Sequence, residues 1–227
     1  MKIAEIFYSL QGEGVLLGVP SIFVRTSGCN LRCTWCDTPY TSWNPEGKEI
    51  SVEQILPRIA GFDTKHIVIT GGEPMIAPEI VDLTLKLRES GFHITIETAG
   101  TVYASVACDL MSISPKLSNS VPDNRDAGRW AAHHERLRCQ PEILRRLMRE
   151  YEYQLKFVVT SANDLGEIDE MRNALSAESG RIVLMPEGTD RDSLRQRGLW
   201  LAEICKKSGY RYSPRLHIDL WGDRRGV

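Results

Sequence analysis

His66-Ile67-Val68-Ile69-Thr70-Gly71-Gly72-Glu73-Pro74 is a short apolar run that ends in two glycines, an acid and a proline. β-Branched residues in such a run predict a buried strand, and the glycines and proline predict a turn. An amphipathic helix is predicted after it, over about 79–90, because Ile80, Leu83 and Leu87 share one face. This stretch therefore predicts one strand–loop–helix unit.

The same unit recurs along the chain. Further strands are predicted at 21–26, 92–97, 110–114, 154–159 and 181–185. Other helices are predicted to begin at the capping box Ser51–Gln54 and to run over about 141–151, 164–175 and 192–207. Strands alternating with helices indicate a parallel sheet, and about six such units are fewer than a closed eight-unit barrel needs. The predicted fold is α/β, an incomplete TIM-like barrel.

The composition indicates a globular protein, with 42% hydrophobic and 26% charged residues and a formal charge of −2. This charge argues against a nucleic-acid-binding surface, and no apolar segment is long enough to span a membrane. Residues 1–6 lack the apolar run of a signal peptide, so a cytoplasmic location is expected. A single domain over 1–227 is predicted, with a surface insertion at about 117–140 that contains His133-His134.

Polar motifs follow several of the predicted strands, at 29–36, 70–74, 97–98 and 114–116. In a parallel sheet, ligands bind at the carboxyl ends of the strands. We therefore expect these four segments to contribute to one site.

Three cysteines, Cys29, Cys33 and Cys36, lie within eight residues, and the other three cysteines are scattered. A structural zinc site needs a fourth ligand, and the nearest histidine is His66. A redox pair of Cys33 and Cys36 would leave Cys29 without a role. An iron–sulfur cluster on three thiolates would leave one iron open for a ligand. The scattered residues Cys108, Cys139 and Cys205 are interpreted as small buried apolar side chains.

The spacing Cys29-x3-Cys33-x2-Cys36, with Trp35 before the last cysteine, resembles the signature of the radical S-adenosylmethionine (SAM) superfamily. The resemblance implies a 4Fe–4S cluster whose open iron binds SAM. It also implies a flavodoxin- or ferredoxin-type electron donor, and cleavage of SAM to a 5′-deoxyadenosyl radical that takes hydrogen from the substrate. Gly71-Gly72-Glu73-Pro74 is similar to the segment that holds the SAM amino group in that superfamily.

A narrower resemblance is to the QueE family, the 7-carboxy-7-deazaguanine synthases of queuosine biosynthesis. The matching segments are Ser9-Leu10-Gln11-Gly12-Glu13-Gly14, Phe23-Val24-Arg25, Cys36-Asp37-Thr38, Glu97-Thr98-Ala99-Gly100-Thr101, Ser114-Pro115-Lys116 and the tail 216–222. The resemblance implies a homodimeric lyase. Its reaction would contract 6-carboxy-5,6,7,8-tetrahydropterin to 7-carboxy-7-deazaguanine with loss of ammonia.

This resemblance also implies the roles of individual residues. The cluster that generates the radical would be held by Cys29, Cys33 and Cys36. The SAM contacts would be Trp35, Cys36, Asp37, Gly72, Glu73, Ser114, Pro115 and Lys116. The substrate contacts would be Leu10, Gln11, Gly12, Arg25 and Thr70, and Thr38 would bind Mg²⁺. The planar fork of Arg25 suits a carboxylate, although a salt bridge at the strand end is an alternative.

One position departs from the family pattern, because Ala99 stands where the QueE family usually has Asn. The role of this loop is therefore open, and Glu97 either binds the cofactor or pairs with Lys116. The alternative function is an activating enzyme for a glycyl-radical enzyme, which would share the cluster and SAM. A zinc-binding or redox-sensing module without enzymatic activity is a third hypothesis.

Overall fold

The computed structural model describes all residues, 1–227, and contains one sheet of nine strands. The strands are β1 Lys2–Leu10, β2 Pro20–Thr26, β3 Lys48–Glu49, β4 His66–Gly71, β5 His93–Thr98, β6 Leu110–Ile113, β7 Tyr153–Val159, β8 Ile182–Pro186 and β9 Arg211–Tyr212. They lie in the order β3-β1-β2-β4-β5-β6-β7-β8-β9. All six strands that were predicted from the sequence are present.

Eight α-helices connect or follow these strands. They are α1 Pro39–Ser42, α2 Val52–Ile59, α3 Ile80–Glu89, α4 Ala131–Arg138, α5 Pro141–Glu150, α6 Asp164–Leu175, α7 Arg191–Ser208 and α8 Leu216–Trp221. The capping prediction at α2 is confirmed at its amino end, where Gln54 Oε1 accepts a hydrogen bond from Ser51 N at 3.1 Å. None of the helices combines the length and hydrophobicity needed to cross a membrane.

The sheet is parallel from β2 to β9 and open at both edges. β1 pairs antiparallel with both β2 and β3, and each later neighbouring pair is parallel. The incomplete barrel is thus confirmed. β1, β3 and β9 were not predicted: β1 mixes polar and apolar residues because it is only half-buried, and β3 and β9 have two residues each.

Side chains alternate between two environments along the parallel strands. On β2, Ile22 and Val24 are fully buried in the core, whereas Arg25 lines a cavity on the other face. On β7, Leu155 and Phe157 are in the core and Lys156 lines the cavity. Since successive strand residues point to opposite faces, one face packs against helices and the other carries the polar side chains.

The charged segment 117–140 is partly buried. It contains the 3₁₀ turns Ser118–Ser120 and Asp126–Gly128 and helix α4. Its side chains Leu117, Ser120 and His134 are at most 1% exposed. That this segment is an insertion in a single domain stays a prediction.

Candidate active site

A cavity of about 610 Å³ lies at the carboxyl ends of the parallel strands. It brings together most of the site residues predicted from the sequence. Those that line it are Leu10, Gln11, Gly12, Arg25, Cys29, Cys33, Trp35, Cys36, Asp37, Thr38, Thr70, Gly72, Ser114 and Lys116. Glu73 and Pro115 are not among the lining residues. The four polar segments therefore meet at one edge of the sheet.

The cysteine loop follows β2 and has no helix or strand from 27 to 38. The thiols of Cys29, Cys33 and Cys36 are free and line the cavity. Burial raises the pKa of the Cys29 thiol to about 12 and raises that of Cys33 further. No three His, Cys, Asp or Glu side chains converge on a position for a single metal ion. Three thiols around an open cavity fit an iron–sulfur cluster, which takes cysteine thiolates as ligands.

The Gly71–Pro74 turn packs against the base of the cysteine loop. Gly28 O accepts a hydrogen bond from Glu73 N at 2.9 Å. A Cβ at Gly72 would overlap the backbone oxygens of Gly28 and Thr41, so only glycine allows this approach. The glycine is therefore required by the close packing of two loops.

Glu73 is a residue of this turn, and its side chain is buried. Its carboxylate accepts hydrogen bonds from other groups of the protein. Its oxygens accept hydrogen bonds from Met75 N at 3.0 Å, Thr98 Oγ1 at 2.7 Å and Ala99 N at 2.7 Å. Burial raises the pKa of Glu73. The Ala99 loop is thus held through its backbone, whichever side chain position 99 carries. A direct contact between Glu73 and SAM stays a prediction.

Lys116 and Trp35 face each other across the cavity wall. Lys116 Nζ lies 5.7 Å from the centre of the Trp35 ring and donates to Ser114 Oγ at 2.7 Å. The indole Nε1 of Trp35 donates to Asn119 O at 3.0 Å. The alternative that Glu97 pairs with Lys116 is wrong, since the cation nearest to Glu97 is Lys156, at 3.9 Å.

Glu97 orients two of the predicted substrate contacts. Its Oε2 accepts a hydrogen bond from Thr70 Oγ1 at 2.8 Å, and its Oε1 accepts one from Gln11 Nε2 at 3.2 Å. Gly12 follows Gln11, and a Cβ there would overlap the imidazole of His217. The wall formed by Gln11, Gly12 and Thr70 is therefore closely packed.

Arg25 lines the cavity without an anionic partner, as Lys116 does. Its Nε is buried without a hydrogen-bond partner, and its guanidinium lies 5.5 Å from the centre of the Phe7 ring. The alternative of a strand-end salt bridge is wrong. A guanidinium that lines a cavity without an anionic partner fits a bound carboxylate.

A buried network of charges connects the wall of the cavity to the carboxyl-terminal part of the chain. Glu13 contacts Lys156 and lies 3.2 Å from Arg215 Nε, and Arg215 also contacts Asp37. Burial alone would raise the pKa of Glu13, but Lys156 and Arg215 outweigh it and hold that pKa well below the usual range. Sequence reasoning missed Lys156 and Arg215. The one available signal was a lysine within the apolar strand Gln154–Val159.

Lys156→Met is expected to lower the free energy of unfolding by about 3 kcal/mol at pH 7, because it leaves Glu13 charged, 13% exposed and short of a partner. The folded-state pKa of Glu13 lies below its unfolded value of about 4.3. The stabilisation of the fold by charged Glu13 is therefore complete above its unfolded pKa, and it is lost as the pH falls towards its folded pKa. The difference in the free energy of unfolding between wild type and variant should become smaller below about pH 4.

Urea unfolding at pH 7 and pH 3.5 measures this gap. Lys86→Met is the matched control, since Lys86 pairs with Glu53 and Asp82 on the surface. We expect no measurable change in that control. A Lys156→Met variant as stable as wild type at pH 7 would contradict the prediction.

Comparisons with known proteins were made on the whole chain. The family model of the Radical SAM superfamily matches residues 23–120. The 7-carboxy-7-deazaguanine synthase of Rhodopirellula baltica is 47% identical over 228 residues, covering 100% of this chain and 89% of that protein. The 7-carboxy-7-deazaguanine synthase of Halobacterium salinarum is 45% identical, covering 98% and 91%. The crystal structure of QueE from Escherichia coli matches with a TM-score of 0.69 and 30% identity, covering 95% of this chain and 94% of that one.

Proposed function

The chain belongs to the 7-carboxy-7-deazaguanine synthase family of radical SAM enzymes, and from this membership we propose its reaction, cofactors and site residues. It is a radical SAM lyase of 7-deazapurine biosynthesis. Its substrate is 6-carboxy-5,6,7,8-tetrahydropterin, which it converts to 7-carboxy-7-deazaguanine with loss of ammonia.

One observation carries this proposal. Three free thiols and an arginine without an anionic partner line the same cavity. The thiols suit a cluster that starts radical chemistry, and the arginine suits the carboxylate of a small substrate. Both features are needed for a reaction between SAM and a carboxypterin, and a zinc-binding module would need only the first.

Cys29, Cys33 and Cys36 are the ligands of a 4Fe–4S cluster. SAM binds beside it, and its contacts are Trp35, Cys36, Asp37, Gly72, Glu73, Ser114, Pro115 and Lys116. When bound, the cluster and SAM together supply the radical that the reaction requires. Lys116 places an ammonium in the cavity for the SAM carboxylate, since no carboxylate of the chain pairs with it. Glu73 keeps the Gly71–Pro74 turn against the cysteine loop by binding Thr98 and the Ala99 amide.

The substrate lies on the other side of the cavity. Arg25 binds its carboxylate, and Leu10, Gln11, Gly12 and Thr70 contact the edge of the heterocycle. Glu97 keeps the Gln11 amide and the Thr70 hydroxyl in fixed orientations. An edge recognised by oriented polar groups discriminates strongly, because an analogue without the matching groups leaves buried atoms unpaired.

Mg²⁺ is proposed at Thr38, the residue before helix α1. A single hydroxyl is a weak ligand for Mg²⁺, which needs oxygen ligands at six positions. The substrate carboxylate and water would complete the octahedron. The ion would therefore bind with the substrate.

Thr38→Val is expected to remove the response of the reaction to Mg²⁺ while leaving the metal-independent rate nearly unchanged. The hydroxyl of Thr38 lies 3.4 Å from Thr41 Oγ1 and 3.8 Å from Cys36 Sγ, so its loss affects two long contacts of the fold. Initial rates with and without Mg²⁺ measure the response, and Thr41→Val is the control. A response that persists in Thr38→Val would place the ion elsewhere.

The electron donor is proposed to be of the flavodoxin or ferredoxin type, and the enzyme a homodimer. A cytoplasmic location is proposed with them, because all six cysteines are free thiols and such donors act under reducing conditions. Sedimentation at several concentrations tests the dimer.

The function is tested by incubating the reduced, cluster-loaded protein with SAM and 6-carboxytetrahydropterin. We expect 7-carboxy-7-deazaguanine and ammonia together with 5′-deoxyadenosine. 5′-Deoxyadenosine without the deazaguanine would reject the assignment and would favour an activating enzyme. Zinc in place of iron in the purified protein would reject the radical chemistry as a whole.

A further inference from the structure

The backbone from Asn30 to Thr34, on both sides of Cys33, is bound by the charged segment 117–140, which has no part in the chemistry proposed above. Because residues 27–38 form no helix or strand, their backbone polar groups need other partners. Thr34 N donates to Ser120 O at 2.9 Å. Arg32 N donates to His134 Nδ1 at 3.1 Å, and His133 Nε2 lies 3.2 Å from Asn30 O.

His134 is held in one orientation and one tautomer. Its side chain is fully buried. Since Nδ1 accepts a hydrogen bond from Arg32, the ring hydrogen is on Nε2, which lies 2.9 Å from Ser120 Oγ and donates to it. Ser120 Oγ in turn donates to Leu117 O at 2.6 Å. Burial lowers the pKa of His134 to about 4, which agrees with a neutral ring.

We propose that His134 is a positioning residue for the iron–sulfur cluster: by binding the backbone N–H of Arg32 it sets the spacing of Cys29 and Cys33. His133 adds a second contact, to Asn30 O, from the more exposed side. The inference rests on the proposed cluster at these cysteines.

The physical reason is that two ligands separated by three residues are as mobile as the backbone between them. Only one of the three contacts, the one made by His134, comes from a side chain that is both fully buried and bonded at both polar atoms. Residues that orient metal ligands typically change metal affinity by about 10–100-fold when they are replaced.

Two amide substitutions at position 134 separate positioning from simple stability. In His134→Asn, the side-chain oxygen takes the place of Nδ1 and keeps the bond to Arg32 N. In His134→Gln, the longer side chain places its amide near Nε2, so it keeps the contact to Ser120 and loses the bond to Arg32. Both remove the ring from the same buried space. Ser120→Ala is the matched control, because it removes the Ser120 contact and leaves the Arg32 bond intact.

The first measurement uses cluster-free protein and records hydrogen exchange at the Arg32 amide. The second uses the anaerobically reconstituted protein and records the rate of iron loss to a chelator and the electron paramagnetic resonance spectrum of the reduced cluster. We expect about tenfold faster exchange and iron loss, and an altered spectrum, in His134→Gln. His134→Asn and Ser120→Ala should stay within about threefold of wild type and keep its spectrum.

Equal effects of the two amide variants, in proportion to their loss of thermal stability, would show a merely structural histidine and overturn the proposal. The proposal would also be overturned if amide exchange, iron loss and the spectrum matched wild type in both amide variants. If neither folds, His133→Ala decides: iron loss about tenfold faster supports the proposal, and a rate within about threefold of wild type rejects it. A wild-type protein that takes up no iron would reject the cluster itself, whereas unchanged variants of a loaded protein reject only the role of His134.

Discussion

Replacing Cys33 by alanine is expected to abolish product formation, a loss on the order of 10⁴-fold or more, because the cofactor and not a side chain supplies the reactive species. Cys33 is 8% exposed and forms a small apolar cluster with Leu31 and Ala99. Removal of its thiol should therefore cost about 1 kcal/mol of folding free energy and leave the chain folded. The measurements are iron content and absorbance after anaerobic reconstitution, product formation, and thermal unfolding of the cluster-free protein.

The matched control is Cys139→Ala. Cys139 is a free, partly buried thiol that ends helix α4 and does not line the cavity. The substitution Cys139→Ala makes the same chemical change as Cys33→Ala, and we expect wild-type iron content and turnover. Full activity in Cys33→Ala, or equal losses in the two variants, would contradict the assignment of the three ligands.

Arg25→Lys is expected to lower kcat/KM by about 100-fold. A lysine keeps the charge but offers a carboxylate one hydrogen bond in place of a two-pronged contact. One hydrogen bond to a charged group contributes about 1.5–3 kcal/mol, and each 1.36 kcal/mol is tenfold. Most of the change should appear in KM, because the carboxylate is bound before and during the reaction.

The effect of Arg25→Lys on the fold should be small, since Arg25 makes no ion pair and its contact with Phe7 contributes about 0.5–1 kcal/mol. Iron content should not change. A tetrahydropterin without the 6-carboxylate is the control substrate: wild type and variant should use or bind it equally poorly. If Arg25→Lys lowers kcat/KM by the same factor with this analogue as with the carboxylated substrate, Arg25 does not bind the carboxylate.

Local patterns in the sequence predicted the strands and the cysteine loop well. The strand His66–Gly71 and the helix Ile80–Glu89 lie within one or two residues of their predictions, because apolar periodicity reports which face of each element is buried. The antiparallel strand Lys2–Leu10 was missed, since most of its residues are half-buried and its pattern of polar and apolar residues is mixed. The segment 117–140 was expected on the surface because it is rich in charge, yet His134 is fully buried in it.

The sequence by itself determined which chemistry is available. Cys29, Cys33 and Cys36 are so close along the chain that their spacing alone limits the kinds of site they can form. The tertiary structure decided which charged groups have partners. Glu13 meets Lys156 across 143 residues, and Arg32 meets His134 across 102, so neither contact has a local pattern. Arg25 remains without a partner for the same reason: whether a charge is paired depends on which distant side chains the fold brings within a few ångströms.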